Sequence, residues 1–504
     1  MPPRRQPPAL YRLCLSEAVL WLWSAADAVW QAALLPSAGA AAAADDELQL
    51  VLRSAALRRL RAALLARLPG PGLQALLDET LRDGLLPARV RATALAALLA
   101  PGVSRLVTGS LPERQHAALM AALTDGGGSL ALLDLRGAWL AQPELERLGE
   151  LLPQLPALEQ LVVPHVASDR LLQQLAGSCP RLQLLDVSMS REVTGAGAAA
   201  LVAGGAHRRL TVVRFGCPGR RGDDPSAGVA LLSALPRLVC LGENEHGAEC
   251  VLAARRRGAI ATCRLTYLHA CVTDRVQMAE LTAACPHLRG LYLDSPHEDA
   301  VPLLRRLAAL QKLKLRRAPA AAVTAQLGGR LVWLELLQPR GPLDLTELAQ
   351  LTPRLQKLEL VQAELAAPEE PPLPPGPAAE LSAGPAAWPH LLEARLLMTA
   401  APAAAWELLL AAERLQRLTV DGAEQLTDAQ LVRQLAAGRC RQLQQLWLGW
   451  APQLHVRGVR ALLDSCPQLS SLGNVEGIAV EPEVWEQLQI EALMENLDVT
   501  FTTG

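Results

Sequence analysis

The chain reads as an α/β solenoid of short repeats, a horseshoe with a parallel sheet on its concave side, preceded by a small all-α module. Three observations predict this. A leucine phrase recurs through most of the chain, the stretches between phrases have helical spacing, and the first hundred residues are helix formers that lack the phrase. The clearest phrase is Leu443-Gln-Gln-Leu446-Trp-Leu448; the same order opens at Leu130, Leu158, Leu182, Leu288, Leu310, Leu331, Leu355 and Leu415. Weaker forms open at Leu210, Leu238, Leu265, Leu391 and Leu469, and most phrases follow one another by 21 to 28 residues. In an extended segment side chains alternate, so the second and third apolar residues of a phrase face one way and their neighbours the other. One repeat cannot bury its apolar face alone; a row of them can.

Taken in order, residues 1–8 carry four prolines and two arginines and are expected as a disordered arm. Residues 9–100 are expected as a helical module. Leu52, Leu57, Leu60, Leu64 and Leu65 make a broad apolar stripe between arginines, and Pro36, Pro69-Gly70-Pro71 and Pro87 punctuate about four short helices. Residues 101–480 are the solenoid, starting weakly near Val103–Thr108. Segments such as Val229–Leu235 and Asp428–Leu435 have the spacing of helices that cover its core. Residues 366–388, dominated by prolines, fit neither helix nor strand and are expected as a disordered insertion. Residues 481–504 are expected to cap the last repeat.

Bulk properties narrow the function. A formal net charge of −2 gives no global pull toward nucleic acid or acidic lipid, and two Phe and three Tyr leave few surfaces for stacking bases. Ten cysteines include no CxxC pair and no zinc-finger spacing. Cys179, Cys285 and Cys466 each stand in a Cys-Pro-x-Leu phrase that opens a repeat, as a small buried apolar residue would, which favours a reducing compartment. Arg12 and Glu17 interrupt the N-terminal apolar run, against a secretory signal. No uninterrupted window of about 20 apolar residues suits a bilayer. The expectation is a cytoplasmic or nuclear protein without membrane or nucleic-acid partners. GxSxG, P-loop and HExxH patterns are absent, so we expect a binder with no catalytic residues, metal or cofactor.

The repeat has the length and phrase of leucine-rich repeats. Its dialect is more particular. Cys179-Pro180-Arg-Leu182-Gln-Leu-Leu185-Asp-Val187-Ser188, followed by Glu192-Val193-Thr194, resembles the cysteine-containing repeats of F-box leucine-rich proteins, as do Cys285-Pro286-His-Leu288, Cys466-Pro467-Gln-Leu469 and Gln425-Leu426-Thr427-Asp428. In that family the horseshoe holds a substrate while a separate N-terminal motif docks onto a ubiquitin-ligase core. No F-box opening is present here. Instead Ala9-Leu10-Tyr-Arg-Leu-Cys14-Leu-Ser-Glu-Ala18 resembles a BC-box, the elongin-binding phrase. Leu35-Pro36, or else Leu68-Pro69, is similar to the hydrophobic-Pro phrase that helps select a cullin. Leu10, Cys14 and Ala18 are four apart and fall on one helical stripe. The layout resembles elongin-binding leucine-rich receptors of the Zyg type. The resemblance implies an elongin B/C-type adaptor, a cullin and a target protein as partners, with Leu10, Cys14, Ala18, Leu35 and Pro36 at the adaptor. Three rivals stay open: an F-box-like receptor with another adaptor, a ligase-free scaffold, and a secreted repeat protein.

The target is expected on the concave face, where residues flanking the inward leucines point. The set is Tyr267, His269, Tyr292, Asp294, Lys312, Lys314, Arg316, Trp333, Lys357 and Trp447, with Glu335 and Glu359 among them. Aromatic anchors beside a basic triplet suit an acidic or phosphorylated peptide.

Overall fold

The computed structural model describes residues 10–34, 44–82, 86–203, 208–216, 225–242, 246–271, 274–366, 388–474, 477–495 and 497–502. Residues 8–269 and 270–504 form two compact units. Each is a parallel β array with helices between strands.

The first unit begins with five helices: α1 (Leu10–Leu34), α2 (Ala44–Arg53), α3 (Ala55–Arg67), α4 (Gly70–Arg82) and α5 (Ala88–Leu98). The first of these helices is 25 residues long. By length and apolar content α1 could span a bilayer, contrary to the expectation that no window would suit one. One of its faces is nevertheless committed to protein. Val19, Leu22, Ala26 and Val29 are buried at helical spacing where α1 packs on α2 to α5. Asp27 pairs with Arg89 at 2.9 Å, and the Trp30 indole donates to Thr93 Oγ1 at 3.1 Å. From α3, Arg61 donates to the carbonyls of Leu99 (3.1 Å) and Asp125 (3.2 Å), tying the helices to the first repeat. The expected arm, residues 1–8, together with Ala9, Leu35 and Pro36, lies outside the described residues.

Five strands follow: β1 (Arg105–Val107), β2 (Leu132–Asp134), β3 (Gln160–Val162), β4 (Leu184–Asp186) and β5 (Val212–Arg214). They pair in parallel in sequence order. Strand β6 (Tyr267–Cys271) falls where the chain divides. In the second unit β7 (Gly290–Asp294), β8 (Lys312–Arg316), β9 (Trp333–Leu337), β10 (Lys357–Val361), β11 (Glu393–Ala400), β12 (Arg417–Gly422), β13 (Gln445–Trp450), β14 (Ser471–Gly473) and β15 (Thr500–Thr502) pair the same way.

The leucine phrase becomes strand because its second and third leucines have somewhere dry to go. Leu313 and Leu315, Leu334 and Leu336, Leu358 and Leu360, and Leu446 and Leu448 are all buried. Each is in register with its equivalents on the neighbouring strand, which makes one continuous core. The Cys-Pro phrase is buried too: Cys179, Cys285 and Cys466 are inaccessible. Burial pushes the Cys179 and Cys466 thiols up to about 11.

Successive helices brace one another through acids in the first turn. The Asp169 carboxylate accepts from the Thr194 N–H (2.7 Å) and hydroxyl (2.6 Å), and Asp428 accepts from the N–H groups of His455 (2.9 Å) and Gly458 (3.1 Å). In both cases the side chain satisfies donors at the start of the next repeat's helix. Thr427, singled out by its sequence, is an N-cap with a reciprocal Gln430 bond.

Two boundaries differ from expectation. Residues 367–387 lie outside the described residues, but both ends of the expected insertion are built into the array. The Ala366 N–H donates to Leu343, and Trp388 is buried with its indole donating to Thr352 Oγ1 at 2.9 Å. The C-terminal residues go beyond a cap. A helix, Pro482–Met494, leads into β15, which adds a strand beside β14, with Trp485 and Phe501 edge-to-face at 5.9 Å.

Candidate protein-binding faces

Three surfaces remain once the core is filled. The first is on α1. Leu10 is 77% exposed, and Leu13, Cys14, Leu20 and Trp21 are also exposed. At 100° per residue Leu10, Cys14 and Trp21 lie along one line, with Leu13 and Leu20 beside it, opposite the buried Val19 and Ala26. The helix thus has one packed apolar face and one exposed face, on which the apolar side chains stand around the exposed Glu17. Ala18, placed with Leu10 and Cys14 by sequence spacing, is half-buried at the edge between them.

The second surface is the solvent face of β7 to β13. Here strand register arranges the sequence-predicted residues in rows. Lys312, Trp333, Lys357, Glu393 and Arg417 stand side by side, and next to them run Tyr292, Lys314, Glu335, Glu359, Arg395, Thr419 and Trp447. Neighbouring strands lie ~4.8 Å apart, so each side chain meets its row neighbours. Trp333 therefore sits between two ammonium groups, Lys312 at 4.9 Å and Lys357 at 4.5 Å from its ring centroid. Lys314 lies 5.0 Å from the Tyr292 ring and 2.7 Å from the Glu335 carboxylate.

The basic triplet is consequently engaged. Asp294 takes Arg316 (3.1 Å) and Arg317 (2.9 Å), Lys314 takes Glu335, and Lys312 lies on Trp333. An acidic ligand here competes with carboxylates already in place. Burial alone would raise the Asp294 carboxyl. Hydrogen bonds from Ser295 and Arg317, and the charges of Arg317 and Arg316, outweigh it and hold the group below the usual carboxylate range. Glu393 is the hub that sequence reasoning passed over. Its buried carboxylate meets Lys357 (3.3 Å), Arg395 (2.8 Å) and Arg417 (2.6 Å). Desolvation pushes its pKa up, and the Arg417 hydrogen bond with the Lys357 and Arg395 charges brings it down below normal. The signal was available, since Glu393 and Arg395 alternate with buried Ala394 and Leu396 as the other phrases do.

Tyr267 and His269 belong to the first unit, and His269 is buried. Tyr267 lines the third surface, a recess of about 560 Å³ that no sequence pattern announced. It is walled by residues at and just beyond the ends of β2 to β5, among them Arg136, His165, Asp186, Met189, Arg214 and Phe215. Left-handed backbone at His165, Met189, Gly216 and Gly242 turns the chain away from the sheet after each strand and shapes the hollow. Among the described residues, no group of three His, Cys, Asp or Glu side chains converges as metal ligands would.

No protein-family model matches the chain, and no curated protein matches it. Solved structures do superpose. One is an internalin, InlF, of Listeria monocytogenes (TM-score 0.35, 13% identity, 86% of this chain and 93% of that chain). Another is in the yeast Rad7 and Elc1 complex (TM-score 0.43, 14% identity, 95% and 96%). A third is the leucine-rich repeat-containing protein LegL7 of Legionella pneumophila (TM-score 0.33, 14% identity, 54% and 94%). At these scores the superpositions carry no argument. The repeat solenoid rests on the parallel ladders and buried leucine rows of the chain itself.

Proposed function

We propose that the protein is a non-enzymatic substrate-recognition subunit of an elongin/cullin-type E3 ubiquitin ligase in the cytoplasm or nucleus. In this reading α1 docks onto an elongin B/C-type adaptor, a cullin joins through it, and the strand arrays hold the target protein. The ligase core then supplies the chemistry by proximity. The observation that carries the reading is the exposed face of α1, with Leu10 and Cys14 on a helix whose opposite face is already packed. Several large apolar side chains gathered on one exposed helix face, here around Glu17, are a feature of protein-binding surfaces. The spacing of Leu10 and Cys14 is that of the BC-box resemblance, and a slim Cys beside a Leu anchor permits close approach to a partner pocket.

The test is co-purification with elongin B and C, comparing the wild type with Leu10→Asp/Cys14→Asp. Both side chains are exposed, so the double variant should keep its circular-dichroism spectrum and melting temperature while losing the adaptor, because two charges cannot enter an apolar pocket unpaired. Loss in the variant alone supports the receptor. If neither form binds, the F-box-like or scaffold reading replaces it.

A further inference from the structure

The recess of the first unit has a sign and a shape that point to one class of ligand. Its acids are buried and spent. Asp186 Oδ1 accepts from the Ser188 N–H (3.1 Å) and hydroxyl (2.6 Å), and Oδ2 accepts from Arg214 at 3.2 Å. Asp134, under the rim, accepts from the Arg136 N–H at 2.9 Å and lies 3.6 Å from its guanidinium. Its cations are exposed. The Arg214 side chain is 45% accessible where Asp186 is 6%, and Arg136 stands as open beside a mostly buried Asp134. Each guanidinium has five N–H donors and spends few of them here, so the recess presents donors and positive charge outward while its negative charge lies beneath.

Beside these cations stands an aromatic shelf. The Trp139 indole is stacked on the His165 imidazole with centroids 4.7 Å apart and planes at 25°, and Trp139 is 66% exposed. An exposed tryptophan braced by a second ring is a rigid apolar contact surface with little entropy left to lose on binding. Phe215 and Met189 continue the apolar lining. The volume suits a few side chains, not a folded domain.

We propose that this recess binds a short extended segment of a protein partner. One anionic side chain of the segment is held by Arg136 and Arg214, and a neighbouring apolar side chain lies against Trp139 and His165. The proposal deepens the receptor reading and rests on it for the nature of the ligand, a protein to be held. It does not rest on adaptor docking. The cations of the second unit's sheet face are likewise paired, by Asp294, Glu335 and Glu393; what sets the recess apart is its concave shape and the aromatic shelf beside it. The anionic group is a carboxylate or a phosphoryl group; both offer planar or near-planar oxygen pairs to a guanidinium.

The experiment uses the full-length protein and a random dodecapeptide display library, followed by fluorescence anisotropy on the selected peptide synthesised with Glu, Gln or phosphoserine at the acidic position. Expected is a consensus with an acid next to a large apolar residue, at least tenfold weaker binding of the Gln form, and at least tenfold weaker binding to Arg136→Gln/Arg214→Gln. Trp139→Ala, at an exposed position, should lose several-fold without change in melting temperature. Whichever of the Glu and phosphoserine forms binds tighter identifies the source of the anion. A selection without an acidic consensus overturns the proposal, as does a consensus peptide that binds the arginine and tryptophan variants like the wild type. Should the arginine variant fail to fold, Trp139→Ala decides alone by the same criterion. Leu10→Asp/Cys14→Asp should bind the peptide unchanged, so failure of adaptor docking and failure of this site are read separately.

Discussion

The two arrays are built from one repeat and differ in how far each strand runs. In residues 8–269, β1 to β5 are three residues each; in residues 270–504, β7 to β10 are five and β11 is eight. The difference decides what their faces can do. A five-residue strand places two or three side chains on the solvent face in register with its neighbours, and these find partners across the ladder: Lys with Glu, Arg with Asp, Trp between two Lys. A three-residue strand leaves room for fewer: in the first array the in-register charge pair is Asp186 with Arg214, across β4 and β5. Pro164, which has no N–H to give a ladder, and the glycines at 137 and 216 stand where the second array continues as strand. What results is a hollow with exposed arginines. Long strands carry the longer rows of paired charge; short ones end in a hollow whose arginines pair with Asp186 and Asp134.

The sharpest way to break this contrast is at the turns. A Cβ on Gly137 would fall on the Gly109 carbonyl of the preceding repeat, whereas Gly341, in the second array, has open space around it and only its positive φ to object. Gly137→Ala should therefore cost about 3 kcal/mol, as backbone overpacking does. Gly341→Ala should cost about 1 kcal/mol, the left-handed penalty alone. Urea unfolding of the two variants measures both; equal losses would mean that the short-strand turns are no tighter than the others.

Next in size is the charge ladder. Glu393→Gln leaves Lys357, Arg395 and Arg417 facing one another and should cost about 2 kcal/mol, less than the loss at a wholly buried pair because the three cations are part-exposed. The pH dependence has a defined sign. Folded Asp294 and Glu393 have lowered pKa values, so the unfolded chain takes up their protons first. Their stabilisation is complete above the unfolded values near ~4 and is lost as pH falls through and below the folded ones. Denaturation at pH 7, 5, 4 and 3 should show stability falling below pH 4, and falling less in Asp294→Asn. Smallest is Trp333→Leu, which keeps the apolar bulk and removes two cation–π contacts, a loss of about 1 kcal/mol in the same urea assay.

The leucine phrases were legible because burial is a local pattern. Leu334 and Leu336 must face a core wherever the neighbouring repeat lies, and they do. The weak phrases at Leu210, Leu391 and Leu469 also became strands. Charge pairing was not legible, because it depends on register between strands. Nothing in Lys312-Leu-Lys314-Leu-Arg316 says that Glu335 and Asp294 stand beside it. The recess was hidden for a related reason: its wall comes from single residues at four or five strand ends, and its shape from backbone torsions at non-glycine positions such as His165 and Met189. The double-faced nature of α1 was half visible, as Leu10 and Cys14 on one stripe, without the length that separates a bare face from a packed one.

The built-in ends of the connection between β10 and β11 have a consequence for how the array accommodates change. That connection is the longest in the second unit, yet Lys357 pairs with Glu393 in the same register that joins Lys357 to Trp333. Ala366 and the buried Trp388 clamp its two ends, so alignment is set at the clamps and not by the amount of chain between them. The entropy of closing such a connection grows only with the logarithm of its length, about 0.6 kcal/mol for each doubling. A reporter or a second binding module spliced between Ala366 and Trp388 should therefore leave the register of the repeats on either side unchanged.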